Sequence, residues 1–146
     1  MRMRFGLAAM VAGILASGPA AAQPAPAESL PVMLILDVSG SMNRTIGPTP
    51  KIAIAKDVVR DLLAGWPASR PVGMTLYGHR RPRDCTDIEQ VRGIQPLDRA
   101  EAERMRAMVA GLTARGETPI ARSLTAAIPA FAGRPGRIIL VTDGRE

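Results

Sequence analysis

Cysteine is almost missing from this chain: Cys85 is the only one in 146 residues. A single thiol excludes an internal disulfide, so no disulfide framework holds the fold. In an exported chain an odd cysteine points either to a partner elsewhere or to a thiol that stays unpaired. Histidine is as scarce, with His79 alone, and one histidine with one cysteine cannot assemble a zinc cluster. Aromatic residues make up only 3%. The core must therefore be aliphatic, and no stacking platform for nucleic acid is expected. No stretch reaches the roughly 20 apolar residues of a comfortable span, which excludes a multi-pass membrane protein. Lysine is reduced to Lys51 and Lys56, so nearly all of the positive charge is arginine.

The charge that is present is unevenly placed. Arg2 and Arg4 precede an apolar run from Phe5 to Ala16, and Ala20-Ala21-Ala22 then lead into Gln23. This is the layout of a secretory signal peptide over 1–22, cleaved after Ala22. It predicts a periplasmic or secreted protein with no membrane span after cleavage, an uncleaved N-terminal anchor being the alternative. Loss of the leader lowers the formal charge from +6 to +4, because Arg2 and Arg4 leave with it. Residues 23–31 are rich in Pro and Ala and read as an extended linker. At 47% apolar residues the chain as a whole has a globular composition, and the remainder, 32–146, is of a length for one domain.

Val32 to Leu36 is continuously apolar, as a strand buried on both faces must be. Asp37 to Pro50 has the Ser, Gly, Asn and Pro density of a loop. From Lys51 to Leu63, Ile52, Ala55, Val58, Val59 and Leu62 recur at helical spacing, and Gly65-Trp66-Pro67 ends that helix. Met42, Met74, Met105 and Met108 read as packing residues, and Trp66 as packing at the helix end. Val72 to Tyr77 is a second strand, and Ile88 to Ile94 a third, at an edge. Asp98 caps a helix from Arg99 to Leu112. A further helix opens at Gly116-Glu117-Thr118-Pro119 and ends near Gly133, and Arg137 to Thr142 is a fourth apolar strand. The order β-α-β-β-α-α-β predicts an α/β fold, a Rossmann-like, mainly parallel sheet flanked by helices.

In an open parallel sheet, functional groups gather at the carboxyl ends of the strands. The first strand runs into Asp37-Val38-Ser39-Gly40-Ser41 and the fourth into Thr142-Asp143-Gly144, while Thr118 starts a helix. If the first and fourth strands are neighbours, Asp37 and Asp143 meet. Two carboxylates and three hydroxyls are all hard oxygen donors, suited to Mg²⁺ first, with Mn²⁺ or Ca²⁺ as alternatives. Few direct negative charges leave such an ion electrophilic, and a partner's carboxylate is its natural further ligand. Each piece alone also has a plain structural reading: Ser-Gly-Ser and Asp-Gly as turns, and Thr118-Pro119 as a helix cap.

The D-V-S-G-S run resembles the D-x-S-x-S signature of von Willebrand factor type A domains. G-E-T-P-I supplies that family's separate threonine and V-T-D-G its second aspartate, in matching order and separation. The resemblance runs from Pro31 to the end and implies a metal-ion-dependent adhesion site. Ser39, Ser41 and Thr118 would then coordinate directly, with Asp37 and Asp143 acting mostly through water. The implied function is a non-enzymatic, metal-dependent protein-binding module in the bacterial envelope, whose partner presents an Asp or Glu carboxylate. Y-G-H-R-R with a nearby cysteine looks like the exported bacterial members. Those often carry further cysteines past the point where this sequence stops, which would give Cys85 a disulfide partner. The C-terminal strands of the family fold are expected beyond Glu146.

His79, Arg80, Arg81 and Arg83 form a candidate positive rim for acidic ligands, or else a solvated hairpin tip. Other functional classes find less support. A phospho-aspartate hydrolase needs a second acid two residues after Asp37, where Ser39 stands, and Ser39 lacks a nucleophile elbow. An accessory subunit resembling that of magnesium chelatases would need an ATPase partner, which the leader argues against. A non-functional fragment is the remaining alternative.

Overall fold

β1 (Val32–Asp37) is buried along its whole length, and the apolar sequence VMLIL explains why: each face meets a helical layer. A computed structural model of the protein describes residues 30–144. The leader at 1–22, its cleavage site and all but the last two residues of the 23–31 linker lie outside the described residues, as do the last two positions of the chain. After β1 come a two-stranded hairpin, β2 (Thr45–Ile46) and β3 (Thr49–Pro50), and helix α1 (Lys51–Ala64). β4 (Val72–Tyr77) and β5 (Ile88–Gln95) follow, then α2 (Arg99–Gly111), α3 (Ile120–Ala127) and β6 (Arg137–Val141). The sheet order is β5-β4-β1-β6. β1 pairs in parallel with β4 on one side and β6 on the other, while β5 closes the β4 edge antiparallel.

The predicted mainly parallel α/β architecture is what forms, with the first and fourth sequence-predicted strands as neighbours. One difference is the short hairpin inside the segment 37–50, which sequence density alone marks as loop. Its strands are two residues each and both are exposed, so no hydrophobic alternation announces them. Its effect is to fix where α1 starts, with Gly47 at φ 59 in its turn and the amide of Lys51 donating to the Arg44 carbonyl at 2.9 Å.

Alternation along β1 divides the core in two. Leu34, Leu36 and Val38 face α1 and α2, packing with Ile52, Val59, Met105 and Val109, whereas Met33, Ile35 and Tyr77 face α3 with Ala127 and Phe131. Met42, Met74 and Met105 are buried and Met108 packs on the same cluster, so all four serve packing, as expected. Trp66 sits just past α1, donates to the Arg70 carbonyl at 2.8 Å, and stacks under the Arg70 guanidinium. Asp98 caps α2, accepting from the Glu101 amide at 2.7 Å. Among the described residues no helix is long and apolar enough to cross a membrane.

The loop before α3 is sewn against the ends of β1 and β4. The Gly40 amide donates to the Gly116 carbonyl at 2.8 Å, and the Gly116 amide donates to the Gly78 carbonyl at 2.8 Å. Gly78 and Gly116 lie backbone against backbone: a Cβ on Gly116 would come within 2.6 Å of the Gly78 Cα. Side-chain motion cannot relieve that clash, so Gly116→Ala is expected to destabilise the protein by about 1–3 kcal/mol. Urea denaturation followed by the fluorescence of Trp66, the only tryptophan, measures this. An unchanged midpoint would show that the loop is not held as tightly as its hydrogen bonds indicate.

Candidate metal centre

Register puts three side chains at one level. Asp37 closes β1 opposite Tyr77 of β4, and the pairing of Leu36 with Val141 brings Thr142 alongside on the other flank. Tyr77 Oη donates to Thr142 Oγ1 at 3.3 Å, and Thr142 Oγ1 donates to Asp37 Oδ2 at 2.7 Å. The other Asp37 oxygen accepts from the Ser39 amide at 2.8 Å. Asp37 and Ser39 have no solvent exposure, so these bonds are what makes a carboxylate tolerable there. Burial comes first among the effects that push the Tyr77 hydroxyl far above its usual range, with the charges of Asp37 and Asp143 adding to it. Tyr77 is accordingly a neutral donor at any physiological pH.

A second line of hydrogen bonds runs from Ser39 to Asp143. Ser41 Oγ donates to Asp143 Oδ1 at 3.2 Å and lies 3.0 Å from Ser39 Oγ. Since Ser41 gives its only hydroxyl proton to Asp143, Ser39 is the donor within the pair. Lys51 Nζ meets the other Asp143 oxygen at 2.8 Å, with the two side chains 19% and 4% exposed. Thr118 lies two residues beyond Gly116, whose backbone forms a parallel bridge with Ser39. The Asn43 side-chain amide adds a tie to the Ala114 carbonyl at 3.0 Å. Asp37, Ser39, Ser41 and Asp143 are thus one hydrogen-bonded group, and Thr118 follows the Ser39–Gly116 bridge on the neighbouring loop.

Lys51, Tyr77 and Thr142 were not singled out by sequence reasoning. Lys51 opens an amphipathic helix and reads as a solvated charge, and Tyr77 and Thr142 read as strand residues. Their positions beside two motif aspartates, at the ends of strands expected to neighbour one another, were the available signal. The acidic content of the site is two carboxylates, and no group of three or more His, Cys, Asp and Glu able to hold a metal forms among the described residues.

The Arg-rich connection is differently engaged. His79 Nε2 lies 2.9 Å from Glu89, Arg80 pairs with Asp87 at 2.8 Å and with Glu89 at 3.0 Å, and Arg81 pairs with Asp84 at 2.6 Å. Arg83 turns the chain at φ 58. Three acids in the same segment therefore offset its three arginines, and the connection is close to neutral. Cys85 is an exposed, free thiol, and the sequence holds no second cysteine to pair with it.

A sequence model of the von Willebrand factor type A domain matches residues 32–146. The chain belongs to that family. Solved structures share the fold. PilB minor pilin from Streptococcus sanguinis aligns with TM-score 0.56 at 17% identity, covering 80% of this chain and 30% of that one. An uncharacterized membrane spanning protein from Vibrio fischeri gives 0.52 at 24%, covering 77% and 55%. The SpRpn10 VWA domain gives 0.51 at 13%, covering 79% and 61%. The chain therefore spans less than two thirds of the length of each, and at these identities the likeness is one of fold. Comparison with the curated proteins gave no match. Domains of this family are generally protein-interaction modules.

Asp87 is the second buried carboxylate of this domain, and its environment sets a pH dependence. Burial raises its pKa, but the amides of Arg81 and Arg80 and the Arg80 guanidinium outweigh that and hold it at about 2, below the ordinary aspartate range. A depressed folded-state value means that its stabilisation is complete above about pH 4 and disappears as pH falls toward 2. Asp87→Asn should be less stable than wild type at neutral pH, with the two converging near pH 2. Urea midpoints across that range test this, and parallel profiles in the two proteins would contradict it.

Proposed function

We propose that the cluster of Asp37, Ser39, Ser41, Thr118 and Asp143 is a metal-ion-dependent adhesion site. Through it the chain binds a partner protein's Asp or Glu carboxylate in the bacterial envelope. The observation that carries this reading is the hydrogen-bonded line from Asp37 through Ser39 and Ser41 to Asp143 at the carboxyl edge of β1 and β6. Its donors are hard oxygens with no thiol or imidazole among them, which fits Mg²⁺ first and Mn²⁺ or Ca²⁺ next. Ser39, Ser41 and Thr118 would hold the ion directly, with Asp37 and Asp143 placed to hold its waters. When bound, the ion supplies an electrophilic position open to a carboxylate oxygen from another protein.

The chain's own residues prepare that position. Thr142 and the Ser39 amide hold both Asp37 oxygens, so the carboxylate cannot rotate. Ser39 gives its proton toward Ser41 and keeps its lone pairs free for a cation. The bridge to Gly116 fixes the distance between the serine turn and the Thr118 loop. With its arginines offset by Asp84, Asp87 and Glu89, the 79–89 connection is a weaker source of attraction for an acidic partner than its composition suggests. Recognition in this reading rests on the ion. The leader motif at 1–22 supports an envelope location. A non-enzymatic role is favoured because Asp37 has no second acid two residues on and Ser39 has no nucleophile elbow.

Calorimetric titration of the full chain with MgCl₂ is expected to give saturable binding. It should vanish in Asp37→Ala/Ser39→Ala and persist in a control such as Asp57→Ala, a substitution of an exposed acid on α1. Absence of binding in folded wild-type protein would overturn the reading.

A further inference from the structure

The Lys51 ammonium is placed where helix energetics do not ask for it. It is the first residue of α1, after Pro50 at the cap position, and the first turn of that helix holds no acid. A cation there faces the positive end of the helix dipole, an unfavourable position. What it meets instead is Asp143, at 2.8 Å, in a pair whose carboxylate side is 4% exposed. Ser41 holds the other oxygen of the same carboxylate. The β2–β3 hairpin and the bond from the Lys51 amide to Arg44 fix the point where α1 begins, and so deliver the ammonium to this corner.

We propose that Lys51 is a built-in counter-ion that stands in for the divalent cation at Asp143, so that metal entry requires Lys51 to withdraw. This rests on the reading of the cluster as a metal site. A divalent ion served by Asp143 and a primary ammonium on the same carboxylate repel each other at short range in a poorly hydrated corner. The two cations are therefore alternatives. Without metal, Lys51 compensates Asp143 and keeps Ser41 and Asp143 aligned, so the site is formed in advance. With metal, the ammonium has somewhere to go: Lys51 lines a groove of about 300 Å³ between α1 and β6 that starts at Asp143 and continues past Met42, Ile46, Ile54 and Val58, along which it can draw back from the carboxylate. The four-carbon stem suits those apolar walls while the charged end reaches water. Competition of this kind weakens metal affinity and makes occupancy responsive to the metal concentration around the protein.

The sequence makes the test clean, because Lys51 and Lys56 are the only lysines. In the 146-residue chain labelled with ¹³C at lysine Cε, two side-chain signals are expected, and MgCl₂ should shift that of Lys51. Lys56, whose ammonium donates to the Ala110 carbonyl on α2, should not move. In parallel, Lys51→Met should bind Mg²⁺ about tenfold more tightly than wild type, since removing the competitor removes one charge-assisted hydrogen bond from the apo state. Saturable Mg²⁺ binding with an unmoved Lys51 signal, or with unchanged or weaker affinity in Lys51→Met, would overturn the counter-ion role and leave the metal site standing. No Mg²⁺ binding in folded wild type and variant alike would overturn the metal site itself, and the counter-ion role with it. If Lys51→Met does not fold, the wild-type lysine signals alone decide.

Discussion

A carboxylate with no exposure to water, at the end of the central strand, is the constraint around which this molecule is organised. Asp37 occupies that place. A buried carboxylate is tolerated only when its oxygens are hydrogen-bonded or its charge is paired. The structure meets this with Thr142 from the next strand and the Ser39 amide from the following turn, and Tyr77 in turn supports Thr142. Satisfying one buried charge thereby fixes the register of three strands at one level, and with it the turn that presents the two serines. Asp143 repeats the arrangement less deeply, with Ser41 and Lys51 on its two oxygens.

The surrounding chain supplies rigidity where it is needed for this. β1 is sealed on both faces by aliphatic side chains, in keeping with a sequence so poor in aromatics. Close approach of Gly78 and Gly116 lets two loops share backbone hydrogen bonds, a contact that any side chain would prevent. Around Asp87 the Arg-rich connection forms its own network, with the Asp87 carboxylate gathering two amides and a guanidinium. Those arginines build a loop first, and their charge is mostly compensated within it.

Most of the architecture was legible in the residues. The apolar runs at Val32–Leu36, Val72–Tyr77 and Arg137–Thr142 identify the parallel strands; β1 and β4 are buried along their length, whereas β6, at the sheet edge, is only partly covered. The Asp98 cap and the helical spacing after Lys51 are equally local signals. Four of the five candidate site residues share one line of hydrogen bonds, and Thr118 follows the Gly116 bridge by two residues. What was not legible depends on contacts between distant segments. The exposed hairpin has no periodicity to betray it. Lys51 looks like any solvated helix charge until the register of β1 and β6 places Asp143 beside it. The pairing of Arg80 and Arg81 with Asp87 and Asp84 depends on how the loop closes, which composition does not encode.

The hydrogen bond between Thr142 and Asp37 joins residues 105 positions apart in sequence, and that between Ser41 and Asp143 residues 102 apart. Closing loops of that length is entropically unfavourable and slow relative to forming local turns and helices. No local stretch of the chain contains the cluster, so the serine turn alone, or even β1 with β4, does not complete it. The cluster is complete only where β6 lies against β1. A chain in which β6 has not paired with β1 has the serine motif without its second aspartate, so any recognition through that corner depends on tertiary structure and not on the motif alone.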